Sequence, residues 1–174
     1  MTNQELMQAM QQAGRLTIVS VGDTTKLDRE PFKTDFGKFA CEGDFIQCER
    51  DGWMVRARIV RDVDARIDDD DSHNIDQEVT GCDDDQQNWL LKCRRAWFDD
   101  QWFYCGIVLS VYRNGIAVIE DNAASLWRIE CNYPQKDSSK NGNAYLREVA
   151  NELFSESIEA AEKQRERIVA ALSK

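Results

Sequence analysis

Residues 62 to 85 hold the side chains that come nearest to a metal site or an acid–base site. Seven aspartates stand here in two runs: Asp68, Asp69, Asp70, Asp71, Asp83, Asp84 and Asp85. His73, the only histidine of the chain, lies between the two runs. Carboxylates are the ligands that calcium prefers, and a histidine can act as a general base near neutral pH. However, a calcium loop alternates its acidic ligands and ends in a glutamate, and these runs do not follow that order.

The spacing also disfavours other metal and catalytic sites. A zinc site made by His73, Cys82 and Cys93 would lack a fourth ligand and the short CxxC or HxxxH pairs that pre-form half a site. A magnesium nuclease needs carboxylates on neighbouring strands, whereas these aspartates cluster on one predicted loop. The motifs GxGxxG, GxxxxGK[ST], GxSxG and HExxH do not occur in the chain. We therefore expect no catalytic, cofactor or metal site and no enzymatic activity, with a hydrolytic enzyme of diffuse carboxylate site as an alternative.

The net charge of the chain is concentrated in the same stretch. The chain has 32 acidic and 22 basic residues, so that its net charge is −10. Residues 62–85 contain eleven acidic side chains and one basic side chain, Arg66, and therefore account for the whole excess. Because apolar residues are few here, we predict a solvated loop, which we call the acidic window.

A solvated acidic loop has two interpretations. It either keeps the protein soluble and monomeric or attracts a basic surface of another protein. Extended residues advance by about 3.3 Å, close to the roughly 3.4 Å between phosphates of one DNA strand. We predict that the seven aspartates bind a basic, nucleic-acid-binding protein in place of phosphates, and that direct binding of nucleic acid is disfavoured by repulsion. The local positive charge lies in two rows that we expect to pair with acidic side chains: Arg56, Arg58 and Arg61, and Lys92, Arg94 and Arg95.

Length and composition predict a single α+β domain over residues 1–174. Of the 174 residues, 42% are hydrophobic, and a chain of about 150 residues already buries roughly 70% of its unfolded surface. The sequence shows no basic leader with a long apolar stretch and no run of the about 18 apolar residues that a membrane span needs. Six cysteines without a CxxC pair are expected to be reduced. We expect a cytoplasmic protein without membrane contact.

Hydrophobic periodicity predicts a mixed, mainly antiparallel sheet of about five or six strands. An N-terminal helix is predicted over about 3–13, followed by a strand over 15–21 and an irregular loop. The turns Asp51-Gly52 and Arg113-Asn114-Gly115 predict two hairpins, because these residues readily adopt positive φ. The hairpin strands and one further strand are predicted at 44–50, 53–63, 102–112, 116–120 and 126–131.

Two further helices are predicted. The first spans Gln86–Phe98, with acidic residues near its start that suit the helix dipole. The second is a long C-terminal helix over 143–173, with Asn143 as its cap and a bend near Ser155 and Ser157. Some thirty residues at about 1.5 Å each make a helix of about 45 Å, longer than the core of a small domain needs. The overhang makes a homodimer through this helix an alternative.

Four segments carry a resemblance to a known group of proteins: residues 22–46, 102–118, 123–134 and 143–153. They resemble a family of small uncharacterised proteins from bacteriophages and bacterial mobile elements. The resemblance implies a bacterial cytoplasm and a genomic neighbourhood in which inhibitors of restriction or CRISPR enzymes occur, and it implies no catalytic residues. The chain is also similar in kind to acidic DNA-mimic inhibitors.

The leading hypothesis is a non-enzymatic acidic protein of phage or mobile-element origin. It would bind and inhibit a nucleic-acid-binding host protein by DNA mimicry, as an anti-restriction or anti-CRISPR protein. Besides the hydrolytic enzyme, the alternative is a structural or assembly protein that self-associates through its C-terminal helix.

Overall fold

The computed structural model describes residues 30–69 and 84–173. The predicted N-terminal helix and the predicted strand over 15–21 lie outside the described residues. The described elements follow one another in this order: β1 (Phe45–Arg50), β2 (Trp53–Arg61), a 3₁₀ turn (Ile67–Asp69), α1 (Asp84–Phe98), β3 (Phe103–Arg113), β4 (Ile116–Cys131) and α2 (Ala144–Leu172).

Both predicted hairpins are present. The four strands form one sheet in the order β1-β2-β3-β4, and every neighbouring pair is antiparallel. Asp51 and Gly52 have φ angles of 53° and 77° at the first turn, and Asn114 and Gly115 have 52° and 77° at the second. Positive φ at both central residues is the geometry of the two-residue turn that matches the twist of the flanking strands. The turn residues therefore fix the register of both hairpins.

Two strands that the sequence predicts as separate are one strand. The ranges 116–120 and 126–131 both belong to β4, which has 16 residues, whereas its partner β3 has 11. The extra residues are taken up as irregularities in the pairing, where Asn122 and Arg128 both have a φ angle of 62°. The short polar residues between the two ranges look like a loop in the sequence, but a bulged strand accommodates them without leaving the sheet. The described sheet therefore has four strands.

One of these irregularities places an aromatic ring over a glycine. A Cβ atom built on Gly106 of β3 would lie 2.5 Å from Cε3 of Trp127 on β4. The neighbouring Arg128 carries the positive φ angle that belongs to the bulge. An aromatic ring that covers a glycine on the adjacent strand compensates for the missing side chain. Gly106 is thus required by the close approach of the indole.

The main hydrophobic core lies between the sheet and α2. The alternating residues of β2 are buried, as predicted: Trp53, Val55, Ala57 and Ile59. The buried apolar residues of α2 are Leu146, Ala150, Phe154 and Ala161. The helix is continuous through Ser155 and Ser157, where a bend was predicted. Because no residue of α2 after Ala161 is buried, the part of the helix from 162 to 172 extends beyond the core.

A second, smaller cluster attaches α1 to the sheet. Trp102 is fully buried, and its Nε1 donates a hydrogen bond of 2.8 Å to the carbonyl of Cys93 on α1. Its ring packs edge to face against Trp97 of α1, with 5.0 Å between the ring centroids. It also contacts the rings of Tyr104 and Tyr133, at 5.3 and 4.9 Å. Such aromatic contacts each add about 0.5–1.5 kcal/mol to area burial, so this cluster holds α1 in place.

Buried asparagines tie the segment before β1 to the end of β4 and the start of α2. Asn143 is fully buried, and its side-chain nitrogen donates to the carbonyls of Gly37 and Lys38 and to Oδ1 of Asn132. The Asn132 side chain accepts from the backbone N–H of Ala40 at 2.9 Å and donates to its carbonyl at 2.8 Å. These amides satisfy backbone groups that have no strand partner, which keeps the segment attached.

These hydrogen bonds explain why the Asn143 side chain does not cap α2. The residue precedes the helix, but its side chain makes no capping hydrogen bond, so the predicted cap is wrong. Its Oδ1 accepts instead from the backbone N–H of Asn132 at 2.8 Å. A buried amide has only a few donors and acceptors, and here the loop contacts use them.

Candidate partner-binding surfaces

The structure describes part of the acidic window. Four of the seven aspartates predicted to bind a partner lie in described elements: Asp68, Asp69, Asp84 and Asp85. The other three lie outside the described residues: Asp70, Asp71 and Asp83. Asp84 and Asp85 form the exposed first turn of α1, where carboxylates interact favourably with the helix dipole. α1 begins at Asp84, two residues before its predicted start.

The described aspartates are not brought together. Ile67 of the 3₁₀ turn is 2% exposed and belongs to the same cluster as Ala96, near the end of α1. Asp68 accepts a hydrogen bond of 2.5 Å from Arg94, again in the last turns of the helix. Asp84 lies ten residues earlier, which at about 1.5 Å per residue is about 15 Å along the axis. The two flanks of the segment 70–83 therefore lie at opposite ends of α1.

Asp68 is paired with a cation of the same molecule. The Oδ1 atom of Asp68 lies 2.5 Å from a guanidinium nitrogen of Arg94, and their side chains are 67% and 30% exposed. A carboxylate in such a pair has its charge compensated by a neighbouring cation. Asp68 therefore contributes little to the negative potential that a distant partner would meet.

The basic rows pair largely as predicted. Four arginines of these rows form ion pairs: Arg58 with Asp121, Arg61 with Asp100, Arg94 with Asp68 and, at 4.0 Å, Arg95 with Asp99. The hydrogen bond from Arg61, together with its charge, holds the pKa of Asp100 below its usual value. Arg56 instead stacks between two rings, with its guanidinium carbon 4.3 Å from the centroid of Phe45 and 5.4 Å from that of Tyr112. These contacts occupy most of the local positive charge on this part of the sheet.

The described residues contain no metal site. No group of three or more histidine, cysteine, aspartate or glutamate side chains in residues 30–69 and 84–173 is arranged to hold an ion. Of the zinc alternative, His73 and Cys82 lie outside the described residues. Cys93 is buried, and burial raises the pKa of its thiol. The described carboxylates that lie near one another line a groove beside α2.

Five cysteines lie in the described residues, and all five are free thiols: Cys41, Cys48, Cys93, Cys105 and Cys131. Burial raises the pKa of Cys48 to about 12. A hydrogen bond with Cys131, followed by burial, raises the pKa of Cys105. Since the thiolate is the reactive form, these thiols are poor nucleophiles at neutral pH.

A groove that the sequence analysis missed lies between α2 and the first hairpin turn. Its volume is about 900 Å³, and its floor is formed by Trp53, Phe154 and Ile158. Six carboxylates line it: Glu30, Asp51, Glu148, Glu152, Glu159 and Glu162. We call this feature the acidic groove. Its residues come from three separate parts of the chain, which explains why no local run of sequence reveals it.

Four carboxylates of the acidic groove lie in one row along α2. One row of α2 follows spacings of four and three residues: Glu148, Glu152, Ser155, Glu159 and Glu162. Residues at such spacings lie above one another on a helix. The adjacent row supplies the apolar side of the groove: Asn151, Phe154, Ile158 and Ala161. This recurrence of glutamate is the sequence signal that was overlooked, because only the apolar residues of the helix were used to predict its position.

The walls of the groove are held by the core. The Asn151 side chain accepts from the backbone N–H of Phe32 at 2.8 Å and donates to its carbonyl at 3.4 Å, which places the nearby Glu30 at the groove. Among the described ion pairs, Arg50 with Asp51 at 3.6 Å is the one that involves a groove carboxylate. The four glutamates of the α2 row are exposed. The groove therefore combines an apolar floor with an excess of negative charge.

Neither a known protein family, nor a curated protein, nor a solved structure matches the chain. The resemblance to small phage and mobile-element proteins therefore stays a prediction. In the part of the chain that the structure describes, no helix has the length and apolar character that crossing a membrane requires. The features that bear on function are therefore the charge of the acidic window and the charge and shape of the acidic groove.

Proposed function

We propose that the protein is a non-enzymatic acidic protein that binds and inhibits a basic, nucleic-acid-binding protein of a bacterial host. In this proposal the acidic window takes the place of phosphates, as in DNA-mimic inhibitors of the anti-restriction or anti-CRISPR type. A phage or mobile-element origin and action in the host cytoplasm follow from the same proposal.

The observation that carries the proposal is the concentration of charge. One window of 24 residues, 62–85, holds an excess of negative charge equal to the net charge of the whole chain. Charge of one sign on a compact protein attracts oppositely charged surfaces and speeds the encounter with them. The exposure of Asp84 and Asp85 supports a window that faces solvent at its C-terminal end.

The pairing of Asp68 narrows the proposed contact. Its neighbour Arg94 already compensates its charge within the molecule. This leaves six aspartates for the proposed contact: Asp69, Asp70, Asp71, Asp83, Asp84 and Asp85. Asp68 then has a structural role, since its ion pair with Arg94 connects the 3₁₀ turn to α1.

The hydrolytic alternative has less support from the groove. A general acid in an active site is usually desolvated, so that its pKa lies near the working pH. The glutamates of the α2 row are exposed instead, and they are strung along the helix. An exposed line of carboxylates suits the binding of a cationic surface better than proton transfer at one atom.

The test is capture of proteins from a bacterial lysate on the immobilised full chain. The variant carries Asn at positions 70, 71, 83, 84 and 85. It spares Asp68 and Asp69, so that the 3₁₀ turn and the ion pair of Asp68 with Arg94 stay unchanged. We expect the variant to lose its nucleic-acid-binding partners, and we expect capture by the unmodified protein to weaken steeply with added salt.

A matched control separates local charge from total charge. It removes the same number of negative charges from exposed glutamates outside both acidic surfaces: Glu42, Glu49, Glu120, Glu156 and Glu166. The control is expected to capture the same proteins as the unmodified chain. Equal loss of capture in both variants, or no loss in the window variant, would refute the proposal.

A second candidate function is self-association through α2. Three large apolar residues beyond the core are exposed, by 43%, 58% and 82%: Ile168, Val169 and Leu172. The part of the helix from 162 to 172 is about 16 Å long and contains no buried residue. Exposed apolar residues on one helical segment are typical of a helix–helix contact.

Light scattering distinguishes this candidate from the first. Since Ala161 is buried, the helix is best shortened after Gln164, which leaves the core intact. Self-association predicts a dimer for the full chain and a monomer for the shortened chain. A full chain that is monomeric at concentrations of about 100 μM, well above a typical working affinity, would rule the candidate out.

A further inference from the structure

We propose that the acidic groove is a second binding site, and that its ligand is a basic segment of a partner protein that carries apolar residues between its lysines or arginines. This site is distinct from the acidic window. β2 begins at the groove with Trp53 and ends with Arg61, which pairs with Asp100 just after α1. At about 3.3 Å per residue the two regions are about 26 Å apart along the strand, so neither site depends on the other.

The shape of the groove fits a linear segment. From Glu148 to Glu162 the acidic row extends over about 21 Å of helix. The floor beside it is apolar: Ile158 is half-buried and open to a ligand, whereas Trp53 and Phe154 beside it are only 4% and 7% exposed. A peptide helix or strand that lies along a groove places apolar anchors on the floor and leaves its charged residues at the rim. A ligand with both kinds of residue would thus contact both rows of α2 at once.

The glutamates of the acidic row repel one another along α2. Like charges three or four residues apart destabilise a helix by about 0.2–0.5 kcal/mol per pair, and the acidic row contains such pairs at Glu148 with Glu152 and at Glu159 with Glu162. Within the described residues, no ion pair neutralises these four glutamates. A bound cationic segment would compensate this repulsion, which makes it the complementary ligand.

A small cation fits the groove less well. The described carboxylates do not converge into a group that could hold a metal ion. They form a line instead, and the apolar floor beside the line gives no contact to a metal ion and little to a polyamine. A polypeptide supplies both the spaced charges and the apolar side chains.

The test uses the full chain and two labelled peptides of 14 residues. One peptide combines lysine with leucine as an amphipathic helix, and the other has serine in place of leucine. The proposal predicts that the lysine–leucine peptide binds at least about tenfold more tightly, as measured by fluorescence anisotropy. Replacing the four glutamates of the row by glutamine should weaken its binding by about tenfold or more, and should raise the midpoint of thermal unfolding by removing repulsion.

The matched control neutralises four exposed carboxylates outside α2 and outside the groove lining: Glu42, Glu49, Asp99 and Glu120. It should bind the lysine–leucine peptide within about twofold of the unmodified chain, as should the variant of the five window aspartates. An equal loss in the groove variant and the control, equal binding of the two peptides, or complete displacement by equimolar spermidine would each overturn the proposal. Because the window variant is measured separately, failure here leaves the proposed function of the window intact.

Discussion

The acidic window and the acidic groove carry similar charge but display it differently. In the window, Asp68 is paired with Arg94, and the described aspartates lie at opposite ends of α1. In the groove, four glutamates of one helix face stand in line beside an apolar floor, and no described ion pair neutralises them. The number of charges in a stretch of sequence therefore does not give the field that a partner meets. That field depends on which cations the fold places nearby.

The largest expected effect concerns the buried asparagines that attach the segment before β1 to α2. Asn143→Ala removes a fully buried amide that bonds to Gly37, Lys38 and Asn132. Because several buried polar groups lose their partner, we expect the free energy of unfolding to fall by about 3 kcal/mol, measured by urea denaturation. The exposed Asn88→Ala is the control and should change it by less than about 0.5 kcal/mol. A loss below 1 kcal/mol for Asn143→Ala would mean that the network contributes little.

The packing between β3 and β4 can be tested at Gly106. The added Cβ atom of Gly106→Ala would overlap the indole of Trp127, since the two would lie 2.5 Å apart. Overpacking of this kind costs about 1–3 kcal/mol. In a double-mutant cycle with Trp127→Ala, the double variant should be more stable than the sum of the single effects predicts. Additive effects would show that the indole does not require the glycine.

The pairing of Asp68 can be removed to make the window more like the groove. Arg94→Gln leaves Asp68 without its cation, so we expect the lysine–serine peptide to bind the chain about twofold more tightly at low salt. The stability should fall by only about 0.5 kcal/mol, because the pair is partly exposed. Arg95→Gln is a suitable control, since its nearest carboxylate, Asp99, lies 4.0 Å away. If Arg94→Gln and Arg95→Gln changed the peptide affinity equally, the loss of the pair with Asp68 would not be the cause of the change.

The smallest effect is expected from modification of the thiols of Cys41 and Cys48, which lie outside both acidic surfaces. Cys41 is exposed and should react with iodoacetamide faster than the other cysteines that the structure describes. Since burial raises the pKa of Cys48 to about 12, only about one molecule in ten thousand carries its thiolate at pH 8, and its reaction should accelerate as the pH rises towards that value. Mass spectrometry of labelled peptides measures both rates. Modification of Cys48 as fast as Cys41 would contradict the described burial.

Local sequence signals predicted the two hairpins and the two α-helices that the structure describes, because the causes of these elements are local. Asp51-Gly52 and Asn114-Gly115 adopt the positive φ angles that these tight turns require, whatever surrounds them. The bulged β4 was predicted as two strands, because its irregularities depend on contacts such as that of Trp127 with Gly106. The capping role predicted for Asn143 failed for a related reason, since distant carbonyls compete for its amide.

The two acidic surfaces also differed in how far the sequence alone revealed them. The window is a contiguous run of acidic residues, so composition alone revealed it, but not the pairing of Asp68 with Arg94, 26 positions away. The groove joins Glu30 and Trp53 to a row of α2 more than ninety positions later, and only the tertiary fold brings these residues together. The spacing of the glutamates in α2 was visible, but the opposing wall was not.

Competition with nucleic acid tests most directly whether the acidic window replaces phosphates. Proteins captured from a bacterial lysate on the immobilised full chain are challenged with a duplex DNA oligonucleotide, at constant ionic strength, and the released proteins are identified. The account predicts that nucleic-acid-binding proteins are released by the DNA and are missing from the column that carries the variant of five window aspartates. Partners that stay bound in excess DNA, and that bind the variant equally well, would contradict it.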